Sequence, residues 1–162
     1  MPTKQIVFAL ITFLHSLFTA VWVGGLITLG LSVMPSARKV LGKGPQMKQL
    51  MDTIQKRLSW LVYGSIVGLA LTGLLLSNRT AAFQGLFSFA NRYSAVLAVK
   101  HLLMLLMVAV ALYRSLVLGR RQSQSPAREK LSAGLLFLNM ALGIGVLLLS
   151  GFSAALAASP PV

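Results

Sequence analysis

Four apolar runs, Ile6–Met34, Leu58–Leu76, Tyr93–Leu118 and Leu131–Ala157, take up most of the 162 residues of this chain. Each reaches the roughly 18–20 residues that a helix needs to cross a hydrocarbon core. Within that core every backbone amide must be satisfied inside the segment, which a helix does by itself. Helix therefore follows from length and solvent together. The expected fold is all-α, an integral membrane four-helix bundle in a single domain over residues 1–162. Short connections favour an up-down-up-down order.

The first run is too long for the apolar part of a secretory leader, and it reads as a retained helix. Helix one is expected to end at Pro35, with Ser36–Gln55 as a solvated interfacial linker. The loop Thr80–Asn91, with Phe83, Phe87 and Phe89, suits a segment lying in the membrane interface. Gln122–Ala127 reads as a short polar turn. Gly64 and Gly68 form a G-x-x-x-G spacing that allows close helix approach and offers a route to an oligomer.

The formal net charge is +13, which raises nucleic acid as a partner. Its distribution argues otherwise. Arg38, Lys39, Lys43, Lys48, Lys56, Arg57, Arg114, Arg120, Arg121, Arg128 and Lys130 flank one set of connections, whereas Lys4, Arg79 and Arg92 lie on the other side. Such an asymmetry orients membrane proteins with the basic loops in the cytoplasm. Both termini then face out, and the excess charge meets anionic lipid headgroups. No nucleic-acid partner is expected.

Ionisable side chains at membrane depth are costly and mark functional positions. This chain has His15 in the first run, with Lys100 and His101 side by side in the third. Counting from the outer ends puts both imidazoles at nearly equal depth, about 12–14 Å along their helices. In a bundle with sequential neighbours, helices one and three lie across the core from each other. Two imidazoles at matched depth suit the axial positions of a b-type haem. Gly68 falls at that depth on helix two, with Thr72 and Gly73 slightly further out, and Gly145, Ser150 and Gly151 serve similarly on helix four. Lys100, Arg92 and Arg79 are placed for propionates. Electron transfer is the implied role, with a quinone or a larger membrane redox complex as partner.

Copper is the rival ligand. The chain has no cysteine, which removes disulfides, iron–sulfur ligation and thiolate copper sites. Met104 follows His101 by one turn, Met107 by two, and Met140 lies on helix four; thioether and imidazole together suit Cu(I). Methionine also packs cores, and a membrane histidine also serves by hydrogen-bonding a neighbouring carbonyl or threonine. A third reading is a structural subunit of a larger membrane complex. Only Asp52 and Glu129 are acidic, both expected in cytoplasmic loops, so neither proton pumping nor acid–base hydrolysis is expected. No catalytic residue is assigned.

His15 followed by Trp22-Val23-Gly24-Gly25 resembles the first helix of the copper resistance protein D (CopD) family. The likeness continues through Lys56-Arg57-Leu58-Ser59, Leu71-Thr72-Gly73-Leu74, and Tyr93 through Leu97 to Lys100. That resemblance implies copper uptake or resistance beside a periplasmic copper-binding partner, in a bacterial inner membrane. The HemJ-type protoporphyrinogen oxidases are similar more distantly. They combine a first-helix His with a third-helix Lys and bind haem b, and the matching positions are His15 and Lys100. The chain departs from their pattern at Met34-Pro35-Ser36-Ala37-Arg38, which disfavours oxidase activity.

Overall fold

The computed structural model describes residues 3–77, 83–118 and 125–158. They form four helical stretches long and apolar enough to cross a membrane: Thr3–Leu41, Pro45–Leu76, Arg92–Leu118 and Pro126–Ala157. No strand occurs among the described residues. The chain is the all-α, four-span membrane protein that its apolar runs predict, and it divides into two compact units, Met1–Gly73 and Leu74–Val162.

In the first unit, α1 (Thr3–Ile27) passes through a π-helical segment, Thr28–Val33, into α2 (Met34–Leu41). Helix one therefore does not end at Pro35. Proline breaks an α-helix because it lacks an N–H and its ring strikes the carbonyl four residues back. Here the Met34 amide already bonds Leu29 O, five residues back, and Pro35 opens the following helix. A π turn of this kind widens the helix locally. The helix continues for another two turns.

The supposed linker is corrected in the same way. Apart from Gly42–Gly44, residues 36–55 are helical, belonging to α2 and to α3 (Pro45–Ser77). Gly42 stands at φ 65° and ψ −160°, a conformation open essentially to glycine. Its amide bonds Arg38 O at 3.1 Å, closing α2. The four basic residues of this stretch, Arg38, Lys39, Lys43 and Lys48, are exposed, as are Lys56 and Arg57 just after it, whereas Met34, Ala37, Met47 and Met51 are buried. The stretch is polar because it is solvated, and helical because it has a buried seam.

Along α1, Ile6, Leu10, Phe13, Leu14 and Leu17 are exposed. Their spacing of three and four residues makes one apolar stripe, which in a membrane faces lipid. The other face packs on α3, and three contacts fix an antiparallel register. His15 meets Thr72, Phe18 lies over Gly68, and Leu58 approaches Gly25. Trp22, Val23, Leu26 and Leu29 continue this face into the core.

The second unit pairs α4 (Arg92–Tyr113), extended by a second π segment at Arg114–Leu118, with α5 (Pro126–Ala158). Asn91 caps α4, its side-chain oxygen accepting from Ser94 N at 2.6 Å. Such a cap satisfies one of the amides that a helix start leaves without a partner. Pro126 begins α5, where an amide would be unused, and Glu129 sits in its first turn, favourable to the helix dipole. Asp52 and Glu129 are thus both helical rather than in loops, and both exposed. Leu103 packs against Gly145 at 3.6 Å, fixing the register of the α4–α5 pair. Both π segments begin 13 residues after a histidine, Thr28 after His15 and Arg114 after His101.

Candidate functional site

His15 is half-buried on α1, and its Nδ1 lies 2.9 Å from Thr72 Oγ1. The Thr72 hydroxyl proton is already committed, because Oγ1 donates to Gly68 O at 2.6 Å. Oγ1 can therefore only accept from the imidazole. His15 thus carries a proton on Nδ1. The chain from His15 through Thr72 to Gly68 lies wholly inside the first unit and fixes the ring.

His101, on α4 of the second unit, holds a proton at the same atom by another route. Its Nδ1 lies 2.7 Å from Leu97 O, one turn back on its own helix. A carbonyl only accepts, so Nδ1 carries a proton, and in the neutral ring the lone pair is on Nε2. Phe87 from the preceding loop stands edge-on to the ring, centroids 6.3 Å apart at 63°. That loop is tied to α4 by Gln84 N donating to Ser94 Oγ at 3.2 Å. Phe83, Phe87 and Phe89 thus belong to an irregular segment, and Phe87 has a definite partner; Thr80 to Ala82 lie outside the described residues.

A ligating histidine almost always donates its second ring nitrogen to an oxygen acceptor, which orients the ring and raises its basicity. Both histidines meet that requirement. His101 is thereby able to offer Nε2 to a metal.

The other sequence-predicted residues fall around them unevenly. Lys100 is half-buried beside His101, and Arg92 is exposed at the start of α4; Arg79 lies outside the described residues. Met104 is half-buried one turn beyond His101, and Met107 is 2% exposed. Met140 is half-buried on α5. Gly68 accepts the Thr72 hydroxyl through its carbonyl, while the Phe18 ring fills the space where its side chain would be. The glycine beside His15 itself is Gly73, at 3.6 Å from Cε1. Gly145 is taken by Leu103, and Ser150 Oγ donates to Val146 O at 2.8 Å. Gly64 is open among the described residues, so the two glycines of the G-x-x-x-G spacing have different surroundings. Among the described residues no three His, Asp or Glu side chains gather as a metal-binding group.

Sequence reasoning passed over Asn139. It is 0% exposed, and both its amide nitrogen and its amide oxygen lack a hydrogen-bond partner among the described residues. Each buried, unsatisfied group costs about 1–3 kcal/mol. The signal was present, since Asn139 is the one carboxamide between Leu131 and Ala157. Trp22 Nε1 and Arg114 Nε are likewise buried without partners.

Residues 52–153 match the family model for copper resistance protein D. The match spans more than half of the chain, and the chain belongs to that family. It covers the Lys56–Ser59, Leu71–Leu74 and Tyr93–Lys100 stretches, and it begins after His15 and Trp22–Gly25. No curated protein and no solved structure matches the chain.

Proposed function

We propose that this member of the copper resistance protein D family handles copper within the membrane, taking Cu(I) through His101 and Met104. The observation carrying the assignment to these residues is the hydrogen bond from His101 Nδ1 to Leu97 O at 2.7 Å. It leaves Nε2 as the ligand atom on a ring already oriented by its own helix. Met104 follows by one turn, within the i, i+3 spacing at which side chains on a helix meet. Imidazole with thioether is a donor pair suited to Cu(I), and Met107 extends the thioethers by another turn. Copper here is cargo.

The test is Cu(I) competition against a chromogenic chelator, with the purified chain and its variants. His101→Ala and Met104→Leu are each expected to weaken Cu(I) binding by at least about tenfold, the loss of one ligand. Unchanged affinity in both variants would remove the assignment. Unchanged cellular copper on deletion and overexpression would remove copper handling altogether.

A second reading rests on His15. It and His101 are each candidate axial ligands for a b-type haem, each ring held through Nδ1 by an oxygen. Gly73 is the small residue on α3 beside His15, at 3.6 Å from its Cε1. Such a haem would supply one-electron chemistry, with a quinone or a membrane redox complex as partner. A Soret band in the purified chain, with a low-spin spectrum lost in His15→Ala and in His101→Ala, would establish this reading. Absence of the band in haem-replete membranes would exclude it and leave copper standing.

A further inference from the structure

We propose that Arg114 and Asn139 form an oxyanion site in the second unit, one that takes a phosphate group. This rests on neither the copper nor the haem reading. It starts from two buried donors without partners, Arg114 Nε and Asn139 Nδ2, together with the unpaired Asn139 Oδ1.

The α4–α5 register places the two residues at neighbouring levels. Leu103 packs on Gly145 in an antiparallel pair, so residue 109 lies opposite Asn139, and Arg114 opposite Gly134. The two levels are about 7–8 Å apart along the helix axes. Helical side chains lean toward the N-terminus of their helix. Arg114 therefore leans toward the level of Asn139, and Asn139 leans back toward the level of Arg114. With those directions, a guanidinium and a carboxamide on the paired helices would come close enough for one small ligand to bridge them.

The ligand must bring negative charge. The chain has two acidic residues, Asp52 and Glu129, and both are exposed. Arg114 is half-buried with its Nε shielded from solvent; a partly desolvated cation gains from a counter-ion, which on this proposal comes from outside the chain. Arginine favours phosphate oxygens, which take several N–H donors at once. Asn139 adds one neutral donor, while its oxygen accepts from a protonated phosphate oxygen or from water. Arg114 also opens a π segment, a feature frequent at functional sites. Tyr113, half exposed beside it, is an aromatic of the kind that sits at headgroup level. A phospholipid headgroup and free phosphate share the required chemistry.

The full chain, delipidated in neutral detergent, is titrated with dioleoylphosphatidylglycerol and separately with inorganic phosphate, and read by thermal shift and native mass spectrometry. One bound phosphatidylglycerol, or a saturable phosphate response, is the expected result, and which probe binds identifies the source. Arg114→Gln should weaken binding by at least about tenfold, the loss of a charge-assisted hydrogen bond. Asn139→Asp places a carboxylate beside Arg114. It should raise the thermal midpoint without ligand and abolish the response, because the missing counter-ion is then built in. Lys130→Gln, on the exposed start of α5, should bind as the parent does. Where Arg114→Gln fails to fold, Arg114→Lys keeps the charge and loses Nε, and with Asn139→Leu it must still weaken binding. Binding of neither probe overturns the proposal, as does binding unaffected by the Arg114 and Asn139 variants. Equal loss in Lys130→Gln overturns it too, since that would be surface charge alone.

Discussion

His15 donates through Nδ1 to Thr72 Oγ1 at 2.9 Å, and the Thr72 hydroxyl in turn donates a hydrogen bond to Gly68 O at 2.6 Å. The threonine thereby both satisfies itself within α3 and dictates which nitrogen of the imidazole holds a proton. Back-bonding of this sort is how a hydroxyl at membrane depth avoids the cost of desolvation. In this chain it also fixes the imidazole ring.

Thr72→Val removes the acceptor while keeping the shape. The expected loss is about 0.5–1.5 kcal/mol, the net worth of one hydrogen bond, read from reversible unfolding in mixed micelles. Thr72→Ser should keep the bond and most of the stability. The decisive measurement is the 15N shift pattern of His15, which should lose its fixed Nδ1–H tautomer in the valine variant alone. An unchanged pattern there would mean that Thr72 does not set the tautomer.

Gly68 and Gly64 separate close packing from mere spacing. A methyl at Gly68 would overlap the Phe18 ring, whereas none of the described residues lies within 4 Å of the corresponding position at Gly64. Gly68→Ala should cost about 1–3 kcal/mol, as overpacking does, and Gly64→Ala should be near neutral within the monomer. Phe18→Leu should recover part of the Gly68→Ala loss, because the obstructing ring is then gone. Equal effects at the two glycines, by thermal denaturation in detergent, would contradict the packing described.

The four spans were legible because a bilayer leaves a long apolar run no alternative to helix. Their ends were not, because an end is set by local bonding and not by composition. Pro35 looks like a terminator until the Met34 amide is seen bonding Leu29 O. The twenty residues from Ser36 to Gln55 look like a linker because their charges are solvated, yet Ala37, Met47 and Met51 supply a buried seam. Depth counting sets Gly68 level with His15 and Thr72 and Gly73 slightly further out, whereas Thr72 and Gly73 are the residues beside the ring. Asn139 went unread because one amide in an apolar run has no period to betray it; only its missing partners single it out.

Gly42 offers a test of the corrected hairpin. With φ at 65° and ψ at −160°, a side chain there costs about 1–3 kcal/mol of strain. Gly42→Ala should therefore lower the unfolding midpoint, while Gly44→Ala, with φ outside that region and open space around it, should not. If both are tolerated, residues 36–55 are not held as α2 turning tightly into α3.

Lys100 and His101 are adjacent on α4, and consecutive helical residues point about 100° apart. His101 turns toward Phe87 and ties Nδ1 to Leu97 O, so the direction of its Nε2 is already set. Lys100 shares neither contact. His101→Ala should therefore abolish high-affinity Cu(I) binding and, if haem is the ligand, convert a low-spin spectrum to high-spin. Lys100→Ala should preserve the ligation in both cases and remove only a nearby positive charge, which shifts a reduction potential without changing the spin state. Phe87→Leu, which loses the ring edge but leaves both nitrogens untouched, should keep the metal and broaden the His101 ring signals. The opposite pattern, with Lys100 required and His101 dispensable, would make the amine the ligand. It would also mean that the bond to Leu97 O merely satisfies a buried imidazole.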